Sequence, residues 1–295
     1  MNAWRDEKEQ TKLNRRLNEL DGRTWEKYSI SIWNIAKSPD ESKLKHPAMF
    51  PLELCKRLLE IYTRKGDTVM DPFMGSGSAI VAARDLERKG IGFDINPDFV
   101  KVAKKRLSQQ KLVKLDVEEP LLVSDDASNL LDYVEPNSID LVITSPPYWN
   151  IHTRKRTADY KKPRPYSSLK RDLGNISDYE EFLRELKNIF EKVYVALKPG
   201  KKCIVIVMDI RQGSQFIPFH MDICDIMEQS GYTLEDIIIW NREKEYSNLR
   251  PLGYPYVFIV NKIHEYILIF RKNRESGIFI NEALSGNSIM SDDEK

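Results

Sequence analysis

The sequence predicts an α/β protein built on a doubly wound, seven-stranded, Rossmann-like sheet whose last strand is antiparallel. Three observations predict this fold. Short apolar runs alternate with longer amphipathic stretches along most of the 295 residues. Asp or Pro stands at the end of five of the seven runs or within two residues of it, as is typical of turns at strand ends. No helix-length pattern separates the last two runs, whereas a parallel pair needs a long crossover, usually a helix.

The elements follow one another in a regular order. Strands are predicted at 68–70, 90–94, 121–123, 139–144, 203–208, 234–240 and 263–270. Helices are predicted at 76–88, 97–107, 179–197 and 219–229, where apolar residues recur at helical spacing. We expect an N-terminal arm at 1–27, a single domain at 28–275 and a C-terminal tail at 276–295.

The composition favours a cytoplasmic protein and argues against a membrane, secreted or cysteine-ligated metal protein. No apolar run approaches the roughly 18 residues of a membrane span, and the N-terminus lacks the apolar core of a signal peptide. The three cysteines are odd in number and lack metal-ligand spacing. We therefore expect free thiols in a reducing compartment and no metal site. The net charge of +1 is uninformative, because it averages a basic centre against an acidic tail.

The segment 71–77, with the sequence Asp-Pro-Phe-Met-Gly-Ser-Gly, follows the first strand and resembles a ligand-binding turn. It has no third glycine, since Ile80 stands there, so it does not match the dinucleotide fingerprint. Carboxylates end three consecutive strands at Asp71, Asp94 and Asp126. They can accept hydrogen bonds from a ligand's ammonium group, its ribose hydroxyls and an adenine amino group, respectively. Such a set, without a phosphate-binding lysine, fits S-adenosylmethionine.

A second segment, Ser145-Pro146-Pro147-Tyr148, follows the fourth strand and suits a flat ring with an amino group. Two acceptors, Ser145 Oγ and the Pro146 carbonyl, can bind the amine hydrogens and favour a pyramidal nitrogen with a directed lone pair. Pro147 fixes the backbone and removes a competing donor. Tyr148 offers a face on which a base can stack. Methylation of a ring carbon would need a cysteine nucleophile, which this segment lacks.

Together these segments resemble the DNA amino-methyltransferases, which methylate exocyclic amines of cytosine or adenine. The resemblance covers about 33–272. It rests on His46, Pro47 and Phe50, on Asp71, Pro72, Phe73, Gly75, Ser76 and Gly77, on Gly92-Phe93-Asp94, on Ser145-Pro146-Pro147-Tyr148, and on His264-Glu265-Tyr266-Ile267-Leu268. The family resemblance implies that His46, Pro47 and Phe50 pack over the methionine end of the cofactor. It also implies that the segment 264–268 forms part of the wall of the target pocket. The cofactor motif precedes the catalytic motif here, which resembles a circular permutation of the order in many relatives.

The resemblance implies transfer of a methyl group from S-adenosylmethionine to a base flipped out of duplex DNA, by a restriction-modification or orphan modification enzyme. Within the family, Ser at the position of Ser145 is associated mainly with cytosine, and Asp or Asn with adenine. We therefore expect methylation of the cytosine N4 amine. The alternatives are adenine N6, RNA or a protein amide, and a non-enzymatic nucleic-acid-binding protein. Expected partners are duplex DNA and a cognate restriction endonuclease.

Two stretches are predicted to face DNA. The insertion at 150–176 is rich in Lys and Arg, which can neutralise phosphates, with two tyrosines interleaved. Its candidate DNA-binding residues are Arg154, Lys155, Arg156, Lys161, Lys162 and Arg164. The loop at 241–256 adds Arg250, with Arg242, Lys244 and Asn248 as further candidates for base edges. Neither stretch is as large as a separate recognition domain.

Overall fold

A computed structural model describes residues 16–43, 49–109, 118–151, 167, 169, 171–245 and 251–274. The strands are β1 (Ile32–Trp33), β2 (Thr68–Asp71), β3 (Lys89–Phe93), β4 (Leu121–Val123), β5 (Ile139–Thr144), β6 (Leu197–Val207), β7 (Ile210–Gln212), β8 (Gln215–Ile217), β9 (Tyr232–Asn241) and β10 (His264–Lys272). The helices are α1 (Gly22–Tyr28), α2 (Pro39–Lys43), α3 (Leu52–Tyr62), α4 (Ser78–Asp85), α5 (Pro97–Gln109), α6 (Tyr179–Ala196) and α7 (Phe219–Gln229). Short 3₁₀ turns span Ala127–Asp132, Leu173–Asn175 and Glu243–Glu245.

Eight strands form one sheet in the order β1-β9-β10-β6-β5-β2-β3-β4. Strand β10 runs antiparallel to both of its neighbours, β6 and β9, which confirms the predicted antiparallel last strand. All seven predicted strands are present. An eighth, the two-residue β1, pairs parallel with β9 and is too short to show a sequence pattern. The separate β7–β8 hairpin, which sequence analysis also missed, follows β6.

Helices cover both faces of the sheet, which explains why the central strands read as continuous apolar runs. All six residues of β5 are buried. On one face, α6 and α7 contribute Phe182, Phe190 and Phe219 to the larger core cluster. On the other, α3 and α4 pack with the indoles of Trp33 and Trp240. Across the described residues, no helix is both long and apolar enough to cross a membrane.

The order of the strands reverses at the boundary between β2 and β5. From β2 the chain proceeds outward through β3 and β4, whereas from β5 it proceeds the other way to β6. Because β2 and β5 are parallel neighbours, their carboxyl ends lie side by side. Such a reversal opens a crevice where ligands of α/β sheets bind. The predicted division into arm, domain and tail stays a prediction.

Candidate active site

A cleft of about 850 Å³ opens at the carboxyl ends of these strands. Both predicted motifs contribute to its wall. The predicted site residues that line it are Phe50, Pro72, Phe73, Gly75, Ser76, Asp94, Asp126, Ser145, Pro146, Pro147 and Tyr148. Asp71 and Gly77 are not among the lining residues. His46, Pro47 and the candidate DNA-binding residues Arg154, Lys155, Arg156, Lys161, Lys162, Arg164 and Arg250 lie outside the described residues or their described side chains.

The turn after β2 holds the carboxylate of Asp94 through the backbone. The Gly75 N–H donates to Asp94 Oδ2 at 2.9 Å, and the Asn96 N–H donates to Oδ1 at 2.8 Å. Gly75 has a φ of 50°, in the left-handed region that glycine adopts without strain. Burial raises the pKa of Asp94 to about 6. A carboxylate oxygen has more than one lone pair, so Asp94 is both fixed and able to accept from a ligand hydroxyl.

Gly77 and Arg106 hold the same turn from behind the cleft. A Cβ on Gly77 would lie 2.8 Å from the Cβ of Ala103, so only glycine permits this approach of α5. The buried guanidinium of Arg106 donates through Nη1 to Ser76 O at 2.8 Å and to Ser78 Oγ at 3.0 Å. Sequence analysis missed Arg106 because its helix is rich in exposed lysines. The available signal was its spacing from Ala103, which places it on the buried face.

Asp71 lies beneath the cleft and joins the two motifs. Its Oδ1 accepts hydrogen bonds from Thr144 Oγ1 at 2.7 Å and from the Phe73 N–H at 3.0 Å. It is 1% exposed, and this burial raises its pKa to about 7. The expected contact of Asp71 with a ligand ammonium group stays a prediction.

The far end of the cleft combines a carboxylate with apolar walls. Asp126 caps the 3₁₀ turn, accepting from the Ser128 N–H at 2.9 Å. Ile95, Phe99 and Ala127 line the cleft beside it, and sequence analysis named none of them. Their signal was positional: Ile95 follows Asp94 directly, and Phe99 lies in the first turn of the next helix. Apolar walls around one carboxylate suit a flat ring with an amino group.

The loop after β5 presents Ser145 and Tyr148 to the cleft. Ser145 Oγ lies 3.5 Å from Tyr148 Oη, which donates in turn to Glu265 Oε2 at 3.3 Å. The Tyr148 ring packs edge-on against Phe219, with 6.1 Å between centroids. The next residue, Trp149, has a φ of 44°, which is strained for a non-glycine residue. Strain of this kind is common at functional sites.

Glu265 links this loop to the connection that follows β9. Its carboxylate pairs with the Arg242 guanidinium, which also binds Glu245 Oε2 at 2.6 Å. Burial raises the pKa of Glu265, while the charge of Arg242 opposes that shift. The Arg242 side chain is only 16% exposed. Our expectation that Arg242 reads base edges is therefore not supported, because its guanidinium is engaged with two carboxylates inside the protein.

The charges lining the cleft favour one class of ligand. Among the described residues, its wall carries the carboxylates of Asp94, Asp126 and Asp172, with Arg171 the single cation. An excess of carboxylates repels phosphates and favours a ligand with cationic groups. Sequence analysis placed Arg171 and Asp172 in the DNA-facing insertion, and the end of that segment borders the cleft instead. The residues present therefore fit a nucleoside that bears an ammonium and a sulfonium group.

This fold and cleft define an α/β protein with a carboxylate-lined cleft beside the Ser145–Tyr148 loop, at the carboxyl ends of its parallel strands. Residues 2–105 and 139–291 match the model of the N6/N4 methyltransferase family, described as DNA methylase. The chain belongs to that family. This confirms the family resemblance on which the sequence interpretation rested.

Relatives within the family match over short segments. The chain is 36% identical over 81 residues to Type II methyltransferase M2.DpnII of Streptococcus pneumoniae, covering 27% of this chain and 30% of the relative. It is 38% identical over 94 residues to Type II methyltransferase M.BglI of Bacillus subtilis, covering 30% and 26%. The matched segments thus span less than a third of either relative. A structure of a putative DNA modification methylase from Thermus thermophilus, complexed with S-adenosyl-L-methionine, aligns at 30% identity over 50% of this chain and 51% of that chain, with a TM-score of 0.35.

Proposed function

We propose that this protein methylates the exocyclic N4 amine of a cytosine flipped out of duplex DNA, using S-adenosylmethionine. One observation carries the proposal: the carboxylates after β3 and β4 and the Ser145–Tyr148 loop after β5 line a single cleft. Membership of the DNA methylase family supports DNA as the substrate. The base must leave the helix, because its amine is unreachable inside the stack.

The cofactor side of the cleft binds and orients its ligand. When bound, S-adenosylmethionine supplies an electrophilic methyl group. The Asp94 carboxylate, fixed by two backbone amides, accepts from the ribose hydroxyls, and Asp126 accepts from the adenine amino group. Phe50 lines the cleft, and the family resemblance assigns it, with His46 and Pro47, to the methionine end of the cofactor. The buried carboxylate of Asp71 would provide negative potential beneath the turn that would hold the cationic end of the ligand.

The base side of the cleft orients the amine. Ser145 Oγ and the Pro146 carbonyl accept the two amine hydrogens, which directs the nitrogen lone pair toward the methyl carbon. The reacting atoms then need to lie roughly 3–3.5 Å apart and in line. Tyr148 stacks on the base, and its hydroxyl contact with Glu265 fixes the ring. No covalent intermediate on the protein is required, because the methyl donor is already activated: the new N–C bond would form as the sulfonium C–S bond breaks to leave a thioether, and the extra amine proton would leave to solvent.

We assign the preference for cytosine over adenine to Ser145, because Ser at this position is associated mainly with cytosine in the family that the sequence resembles. The basic residues of 150–176 and Arg250 are proposed to neutralise phosphates. A cognate restriction endonuclease acting on the same sequence remains part of the proposal.

One experiment tests the substrate and the target base together. Purified protein is incubated with methyl-labelled cofactor and with duplex DNA, RNA, a protein extract or no acceptor, and the labelled product is digested and identified. We expect N4-methylcytosine from duplex DNA alone. Sequencing of the methylated DNA then gives the recognition sequence, and a DNA ligand carrying that sequence serves all later assays.

The Asp94→Asn variant is the matched negative control, because it keeps the shape of the side chain and removes its charge. N6-methyladenine in the product would replace the cytosine assignment with adenine. Label in RNA or protein, with none in DNA, would overturn the proposed substrate class.

A further inference from the structure

The loop between β9 and β10 exposes an unusual set of large apolar side chains. We call residues 252–260 the aromatic loop. Its exposed residues are Tyr254 at 78%, Tyr256 at 91%, Val257 at 59%, Phe258 at 94% and Val260 at 56%. A contiguous exposed apolar group of this kind marks an interaction site on a folded domain. None of these residues lines the cleft or takes a part in the proposed chemistry.

The conformation of the aromatic loop is fixed by its own backbone. Leu252 and Ile259 form an antiparallel bridge that closes it. The N–H groups of Tyr256 and Val257 both donate to Gly253 O, at 2.8 and 2.7 Å. Gly253 has a φ of 75°, and a Cβ there would lie 2.3 Å from Val257 O. A preformed tip loses little conformational entropy when it binds.

The aromatic loop leaves the sheet beside the Ser145–Tyr148 loop. Asn241 and His264, which flank the connection, pair across β9 and β10. The residue after His264 is Glu265, which contacts Tyr148 as described above. The opening of the duplex must take place at this edge if the base enters the cleft.

The charges around the aromatic loop favour a polyanion as its partner. Residues 251–262 contain no Asp or Glu and one cation, Lys262. Lys262 Nζ lies 4.9 Å from the ring centroid of Phe216, on β8, and the Arg211 guanidinium lies 5.3 Å from the same ring. Phe216 is itself 41% exposed. Aromatic faces beside cations, in a segment that carries no acid of its own, suit stacked bases flanked by phosphates.

We propose that Tyr256 and Phe258 at the tip of the aromatic loop enter the base stack of duplex DNA beside the target nucleotide. The inference rests on the proposed function and assigns a role that the cleft itself does not fill. Apolar side chains inserted between base steps unstack them and kink the duplex. The tip thereby occupies space next to the extruded base and opposes its return.

The test compares a paired duplex with one whose target base is already mispaired, both carrying the recognition sequence found by sequencing. A mispaired base costs less to extrude. Methyl transfer and DNA affinity are measured for Phe258→Ala and for Phe258→Trp, which keeps a stacking face. Trp25→Ala, which removes an exposed aromatic from α1, is the matched control. A 2-aminopurine next to the target reports unstacking.

We expect Phe258→Ala to lower kcat/KM on the paired duplex by about ten- to a hundredfold, the usual effect of losing one stacking aromatic. The loss is expected to shrink strongly on the mispaired duplex. Phe258→Trp and Trp25→Ala are expected to stay near wild type on both. Cofactor affinity is expected to be the same for all variants.

An equal loss on both duplexes, or no loss on either, would overturn the proposed insertion of Tyr256 and Phe258 into the base stack. A change from dimer to monomer in Phe258→Ala, measured by sedimentation without DNA, would instead identify the tip as a contact between two copies of this chain and would also overturn it. Failure of the wild-type protein to methylate any DNA would be a failure of the proposed function. A fully active Phe258→Ala enzyme would be a different outcome: it would overturn the insertion of the aromatic loop and leave the proposed function standing.

Discussion

Thr144, the last residue of β5, donates a hydrogen bond to the carboxylate of Asp71, the last residue of β2. The Oγ1–Oδ1 distance is 2.7 Å, and both side chains are buried. The bond ties the end of the strand before the cofactor turn to the end of the strand before the Ser145–Tyr148 loop. The spacing between the two halves of the site is thereby fixed from below.

Thr144→Val is expected to lower the free energy of unfolding by about 1–3 kcal/mol, because it leaves a buried carboxylate without one of its donors at nearly constant volume. Urea unfolding near neutral pH measures the change. Thr144→Ser keeps the hydroxyl and is the matched control. Equal midpoints for the two variants would show that the hydroxyl of Thr144 does not stabilise the fold.

The buried carboxylates are expected to make the unliganded protein less stable as pH rises. Burial raises the pKa of Asp71 to about 7 and that of Asp94 to about 6, against about 3.9 in an unfolded chain. The folded state therefore binds more protons than the unfolded state between about pH 4 and pH 7, so stability falls as pH rises through that window. Asp71→Asn is expected to reduce the slope by at most about 1.4 kcal/mol per pH unit. Urea unfolding across that window measures it, with the exposed Asp98→Asn as control, and an unchanged slope in Asp71→Asn would contradict the expectation.

Ser145→Ala is expected to slow methyl transfer about a hundredfold, the scale on which a single group directed at reacting atoms contributes to catalysis. Cofactor affinity is expected to stay near that of wild type, because Ser145 is assigned to the base side of the cleft. Single-turnover rates and calorimetric titration with the cofactor measure the two quantities separately. A collapse of cofactor affinity would show that this assignment of Ser145 is wrong.

Two variants of Tyr148 separate its hydroxyl from its ring. Tyr148→Phe removes the bond to Glu265 and is expected to slow transfer about 2- to 13-fold, equivalent to about 0.5–1.5 kcal/mol. Tyr148→Ala also removes the stacking face and is expected to weaken binding of an extruded base by about 1–3 kcal/mol. Rates and DNA affinities of the pair measure the difference. Identical behaviour of the two variants would indicate that the ring does not contact the base.

Arg106→Lys is expected to weaken cofactor binding about tenfold, because an ammonium group cannot reach both Ser76 and Ser78 as the guanidinium does. The transfer rate at saturating cofactor is expected to change little. Lys104→Ala, an exposed substitution on the same helix, is the control. A lower rate with unchanged affinity would instead place Arg106 on the path of the reaction.

The sheet and much of the cleft were accessible from sequence because they depend on local pattern. Continuous apolar runs ending in Asp predicted β2, β3 and the position of Asp94. The features that could not be predicted from sequence depend on contacts between residues that are distant along the chain. The family resemblance named Glu265 as part of the wall of the target pocket, but its bond to Tyr148 arises because β10 inserts beside β6, and no local signal reports that pairing. Strand β1 has two residues, which is too few to show any period.

Asp71 illustrates a residue whose position was predicted and whose surroundings were not. Its place at a strand end suggested a ligand contact. The structure adds the bond to Thr144, which arises from the β2–β5 neighbourhood and from burial that no single segment encodes. Arg242 is a similar case, since a charged residue in a loop reads as solvent-facing until its buried acidic partner is located.

The proposed reaction takes place across a seam between two strands that lie far apart along the chain. Strand β2 carries one half of the site and β5 the other, and they meet through the parallel pairs Val69–Leu141 and Met70–Val142. Between them the chain runs by way of β3 and β4, so the direct link across the seam is noncovalent. A polypeptide cut into two pieces before β5 would have to re-form this seam, the β1–β9 pairing and the shared core to restore the centre. The site depends on how the two strands meet in space, and their order along the chain enters only through the connections that bring them together.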